Sequence, residues 1–102
     1  MIRFLIVFLI VLGLCAIPLV PALADEPAVS LKAGAGQEAV ETNCAACHSL
    51  DYIRINAGFL SAEGWKAEVA KMRGPFGAPV EDATAAEILR YLVTQYGAPP
   101  KG

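Results

Sequence analysis

The pentapeptide Cys44-Ala45-Ala46-Cys47-His48 constrains this chain more than any other stretch of its 102 residues. Two thiols three positions apart, with an imidazole directly after the second, are the groups that covalent haem attachment of the c type requires. The thiols add across the two vinyl groups of the porphyrin, so the ring is held at two points. His48 then falls over the iron as one axial ligand.

Three other readings of the same residues compete. A thioredoxin-like redox pair sits after a strand in a βαβ pattern, whereas the segment before Cys44 is polar and helix-like, with no strand-rich run around it. A structural zinc site needs four ligands, and beyond the N-terminal leader the chain offers only Cys44, Cys47 and His48. A Cys44–Cys47 disulfide would leave the adjacent histidine unexplained. Haem attachment uses all three residues.

The N-terminus bears on compartment. One cation, Arg3, precedes an unbroken apolar run from Phe4 to Val20, and Ala22-Leu23-Ala24 places small residues where a signal peptidase reads them. The expectation is a secretory signal peptide over 1–24, cleaved after Ala24, and a periplasmic product. The run is long for a signal, and an uncleaved membrane anchor is the alternative; Pro18 and Pro21 weigh against it by interrupting the helix. Cys15 follows bulky Leu14 and reads as apolar filler rather than a lipid-attachment site. After cleavage no membrane segment is expected.

Removing 24 of the 102 residues leaves 78, room for one small domain. So short a chain struggles to bury enough surface unaided. A covalently held porphyrin supplies a large apolar plate for a few helices to pack against. The mature part carries seven Lys and Arg against ten Asp and Glu, a net charge of −3. An acidic domain is a poor partner for nucleic acid.

Residues 25–35 read as an extended lead-in and residues 36–102 as the monohaem domain. A first helix is expected from about Gln37 to Cys47, with Val40, Cys44 and Cys47 on one face. Ser49 to Leu60 looks irregular, with turn residues Asn56 and Gly58 among apolar residues able to wrap a cofactor. Ser61 is a good N-cap for a second helix over 62–72, ended by Gly74, Pro75 and Gly77. A third runs from Glu81 or Asp82 to Tyr96, with Ile88, Leu92 and Tyr96 inward and Gly97 as its stop. With no convincing strand, the fold class is all-α, about three helices around one haem.

The second axial ligand follows by elimination. Low-spin haem takes His or Met, and the mature chain holds no second histidine and one methionine, Met72. A lone Met on a helix is ordinarily a soft core filler, but Trp65, Val69 and Met72 share a face and the Gly74-Pro75-Phe76-Gly77 breaker follows directly. Met72 is therefore expected on the iron, with core filler beside an open iron as the alternative. A thioether opposite imidazole favours Fe(II), which suits electron transfer.

With these residues assembled, the chain resembles class I cytochromes c: Gly36 eight residues before Cys44, the Cys-x-x-Cys-His motif, a mid-chain methionine and a closing Tyr-Leu helix. More narrowly, Cys47-His48-Ser49-Leu50-Asp51-Tyr52-Ile53, Gly64-Trp65-Lys66-Ala67-Glu68-Val69-Ala70-Lys71-Met72, Phe76-Gly77-Ala78-Pro79 and Tyr91-Leu92 are similar to the cytochrome subunit of bacterial sulfite dehydrogenase. That resemblance implies a non-catalytic subunit docked on a molybdopterin-containing partner. It would take electrons from sulfite oxidation singly and pass them to another cytochrome c. The chain departs from the broader class in one respect. No proline lies between His48 and Pro75, so the usual carbonyl partner of the haem histidine is missing.

Two further classes stand beside this one. A stand-alone periplasmic cytochrome c would serve another dehydrogenase or an oxidase. A haem enzyme or gas sensor would need an open iron, and the chain lacks a distal His or Arg–His pair for it. Trp65 reads either as a donor to a haem propionate or as a core anchor whose N–H meets a carbonyl. Arg54 is expected to be solvated, with a propionate or a partner subunit as its other readings. Tyr91 and Tyr96 are expected to pack where the last helix crosses the first, and Glu81, Asp82 and Glu87 to cap and solubilise their helix.

Overall fold

The structure, a computed structural model, describes residues 1–14 and 27–100. Five helices follow one another: α1 (Ile2–Leu14), α2 (Gln37–Cys44), α3 (Asp51–Asn56), α4 (Ala62–Arg73) and α5 (Asp82–Tyr96). There is no strand among the described residues. The all-α fold expected is the fold found. α1 occupies the start of the apolar N-terminal run. Cys15, Pro18, Pro21 and the cleavage point after Ala24 lie outside the described residues. No described helix is long and apolar enough to cross a membrane.

α5 is the hub, and α2, α3 and α4 each pack against it. Its buried side chains, Ala85, Ile88, Tyr91, Leu92 and Tyr96, recur at three- and four-residue intervals. Val40 from α2, Ile53 from α3 and Trp65 from α4 complete the core, each no more than 3 % exposed. Truncating a fully buried Trp such as Trp65 costs about 3–5 kcal/mol, so α4 is held chiefly by this one side chain. Its start is fixed as expected, the Ser61 hydroxyl accepting from the Gly64 N–H at 3.3 Å.

Two expectations need correction. α2 ends at Cys44 rather than Cys47, and residues 45–47 form a turn. The Asn43 side-chain amide donates to the Ala39 carbonyl at 2.7 Å, a local bond of the kind that competes with helix continuation. Cys47 is therefore exposed and does not share the buried face of Val40. Second, the segment expected to be irregular contains α3, so the domain has four helices, not three. The Ser49 hydroxyl accepts from the Asp51 N–H at 3.1 Å, and Ile53 is driven into the core. Six residues with one buried position leave little periodicity to read.

The lead-in is strapped to α5. Leu31 is buried, the Lys32 N–H donates to the Tyr96 hydroxyl at 2.8 Å, and the Tyr91 hydroxyl donates to the Lys32 carbonyl. Burial pushes the Tyr91 phenol well above the usual tyrosine range, helped by Tyr96 beside it. Both tyrosines are packing residues, as expected, and Tyr91 does so at the α2–α5 crossing against Gly36.

Candidate haem site

One cleft opens between the Cys44–Tyr52 segment on one side and α4 with the loop after it on the other. It encloses about 680 Å³, its open mouth included. Cys44, Cys47 and His48 line one wall, and Trp65, Val69 and Met72 line another. Ile53, Ile88 and Leu92 come up from the core. The structure thus brings all four expected site residues to one apolar cleft. Cys44 and Cys47 are free thiols. Burial pushes the Cys44 thiol upward, with Cys47 adding to the effect, so Cys44 stays protonated at neutral pH. No group of three or more His, Cys, Asp or Glu side chains among the described residues could hold a metal ion. A flat apolar ring with an iron at its centre fits this donor set: two thiols, an imidazole and a thioether around apolar walls.

His48 Nδ1 lies 2.9 Å from the Ser49 carbonyl. A carbonyl only accepts, so in this contact Nδ1 is the donor, which leaves Nε2 as the ring nitrogen available to a metal. Ser49 thus supplies the backbone partner that the missing proline left open. The His48 ring also meets Tyr52 edge-on, with centroids 5.8 Å apart. The Tyr52 hydroxyl donates to Glu68 at 2.8 Å, and Lys71 donates to the other carboxylate oxygen at 2.8 Å. The lysine, then the tyrosine, hold the Glu68 carboxyl below its ordinary value, and Glu68 in turn raises the Tyr52 phenol.

Trp65 takes the second of its two readings. Its one donor, the indole N–H, goes to the Tyr96 carbonyl at 3.3 Å, and no propionate bond is left for it to make. Arg54 pairs with Asp51 at 3.7 Å, both well exposed, which agrees with a solvated arginine. Glu81 sits at the N-cap of α5 without a side-chain cap bond, and Asp82 pairs with Arg73 instead. Glu68 and Arg73 line the cleft although the sequence reading singled out neither. The signal for Glu68 was there. Trp65, Glu68, Val69 and Met72 follow the i, i+3, i+4, i+7 pattern, a carboxylate set into an otherwise apolar stripe.

These features define a small all-α haem-binding domain. The family profile described as quinohemoprotein amine dehydrogenase A, alpha subunit, haem binding matches residues 34–102, well over half of the chain. The chain belongs to that family, and it binds haem. No curated protein matches it.

Proposed function

We propose that this chain is an exported monohaem c-type electron carrier, working as the non-catalytic haem subunit of a periplasmic dehydrogenase. The observation that carries it is the single apolar cleft shared by Cys44, Cys47, His48 and Met72. In this reading Cys44 and Cys47 would hold the haem covalently, and His48 through Nε2 and Met72 through its thioether would ligate the iron. Haem so held supplies a one-electron Fe(III)/Fe(II) couple. The residues around it keep water away: Ile53, Val69, Ile88 and Leu92 furnish apolar surface, and a dry, low-dielectric pocket favours the less charged reduced form. His48 is oriented by the Ser49 carbonyl and by Tyr52. Export follows from the leader, removed after Ala24.

For the partner we propose a molybdopterin-containing, sulfite-oxidising subunit, with a second cytochrome c as acceptor. The resemblance from Cys47 to Ile53 and from Gly64 to Met72 supports this. A second reading, favoured by the family match, is a quinone-dependent, amine-oxidising subunit. Among residues 27–100 the only large apolar side chains well exposed are Tyr52, Ile55, Phe59 and Phe76. Tyr52 lines the cleft, and Phe76 lies in the loop between cleft residues Met72 and Ala78. The partner would dock on the face that carries Tyr52 and Phe76, with Arg54 of α3 as a further contributor.

The test is co-purification of the tagged native protein from periplasm, followed by reduction with candidate substrates. Sulfite should reduce the haem through the co-purified molybdenum subunit and not without it. Reduction by primary amines instead moves the partner to the second reading. A protein that purifies alone, and is reduced by neither, is the stand-alone cytochrome.

A further inference from the structure

The loop after Met72 is held by its backbone and by few side chains, since none from Gly74 to Pro79 is buried. It runs through Gly74, Pro75 and Gly77, and its largest side chain, Phe76, is 69 % exposed. Five backbone bonds shape it: Gly74 N–H to the Ala70 carbonyl at 2.8 Å, Phe76 N–H to Lys71 at 3.3 Å, Gly77 N–H to Gly74 at 3.0 Å, Ala78 N–H to Met72 at 2.9 Å, and Val80 N–H to Ala78 at 2.8 Å. One side chain closes it. Arg73 lines the cleft beside Met72, and its Nε donates to the Val80 carbonyl at 2.8 Å, joining the two ends of the loop. Its terminal nitrogen pairs with Asp82.

The two contacts are unequal. The Asp82 side chain is 96 % exposed, and an ion pair so solvated holds little. Val80 is half-buried and packs against the core, so a charged donor to its carbonyl fixes the loop to something rigid. We infer that Arg73 is the positioning residue for the Met72 thioether. By tying residue 73 to residue 80 it keeps the loop shut, and so sets how often the thioether leaves the iron. This rests on Met72 being an axial ligand.

The experiment follows imidazole displacing the thioether from the ferric holoprotein by the fading of the far-red thioether charge-transfer band. Wild type, Arg73→Gln, Arg73→Lys, Asp82→Ala and Tyr91→Phe are compared, with Met72→Ala as the blank that should show no band. Arg73→Gln and Arg73→Lys should each speed displacement about tenfold, as expected for losing a hydrogen bond from a charged donor. Lysine keeps the charge but lacks the guanidinium fork. Asp82→Ala should stay close to wild type. Tyr91→Phe, a destabilising change at the strap, should leave the rate alone and so separates positioning from general loss of stability. A wild-type rate in Arg73→Lys would show that only charge matters and overturn the proposal. So would unchanged rates in both arginine variants, or an Asp82→Ala effect as large as that of Arg73→Gln. A wild type without the band overturns the Met72 reading itself. Amide exchange at Ala78, faster in Arg73→Lys, gives a second readout if the glutamine variant folds poorly.

Discussion

Gly36 lies hard against Tyr91: a Cβ on the glycine would stand 2.9 Å from the Cβ of the tyrosine and 3.1 Å from the Glu87 carbonyl oxygen, at φ +94°. This close approach lets the start of α2 cross α5, and α2 delivers Cys44 to the cleft. Gly36→Ala adds left-handed strain of about 1–2 kcal/mol to overpacking of about 1–3 kcal/mol. Urea unfolding of the holoprotein should show a loss of roughly 2–5 kcal/mol. A loss well below that range would mean that the crossing yields to a methyl group.

Haem attachment through Cys44 and Cys47 predicts that the colour survives acid–acetone extraction and denaturing electrophoresis, because thioether bonds resist both. Cys44→Ser with Cys47→Ser should release the haem. Each single variant should retain it by one bond. Haem that stays covalently bound to the double variant would sink the assignment.

Met72 as a ligand predicts a far-red charge-transfer band in the oxidised protein. Met72→Ala should lose the band, lower the midpoint potential and let carbon monoxide bind the reduced iron. An unchanged spectrum would place another group on the iron.

Legibility followed periodicity. α4 and α5 could be read because Ser61, Trp65 and Met72, or Ile88, Leu92 and Tyr96, recur at helical spacing between clear stops. α3 could not, since one buried residue in six, Ile53, makes no pattern. That Cys44, Cys47 and His48 would share one cleft wall was legible because they are local in sequence, and Met72 was brought to the same cleft as the one methionine on the inward face of its helix. The Ser49 carbonyl, the Tyr52–Glu68 bond and the Arg73 clasp were not. They depend on where the backbone turns, and any solvated charge has the same sequence appearance. The strap of Lys32 on Tyr91 and Tyr96 was hidden likewise, joining residues about sixty positions apart.

Glu68 gives a pH prediction whose sign is fixed by its partners. Lys71 and Tyr52 hold its folded carboxyl below the ordinary 4.5. Its contribution to stability is therefore complete above 4.5 and fades as pH falls through the lower folded value. Glu68→Gln should flatten this part of the acid limb in thermal melts. Tyr52→Phe should flatten it less, because Lys71 is the larger cause. Equal acid limbs in wild type and Glu68→Gln would show that the carboxylate is not held.

The docking face yields a prediction about salt as well as about mutants. Ile55 and Phe59 stand 70 % and 79 % exposed on and just after α3, and Phe76 is 69 % exposed on the loop after Met72. The ion pairs among the described residues, Asp51–Arg54, Glu68–Lys71 and Arg73–Asp82, all involve α3, α4 or the α4–α5 connection. Charge there is largely cancelled within the domain, so a partner meets apolar surface rather than an unbalanced field. Recognition by such a face depends on buried aromatic anchors and only weakly on ionic strength. Phe59→Ser and Phe76→Ser should therefore slow haem reduction by the dehydrogenase partner at least tenfold, the scale of losing an interface anchor. The haem spectrum and midpoint potential should not move, and stability should change by no more than about 0.5 kcal/mol, as for other surface positions. Stopped-flow reduction at low and high salt measures both effects. A steep fall in rate with salt, or wild-type rates in both phenylalanine variants, would place the docking surface elsewhere on the domain.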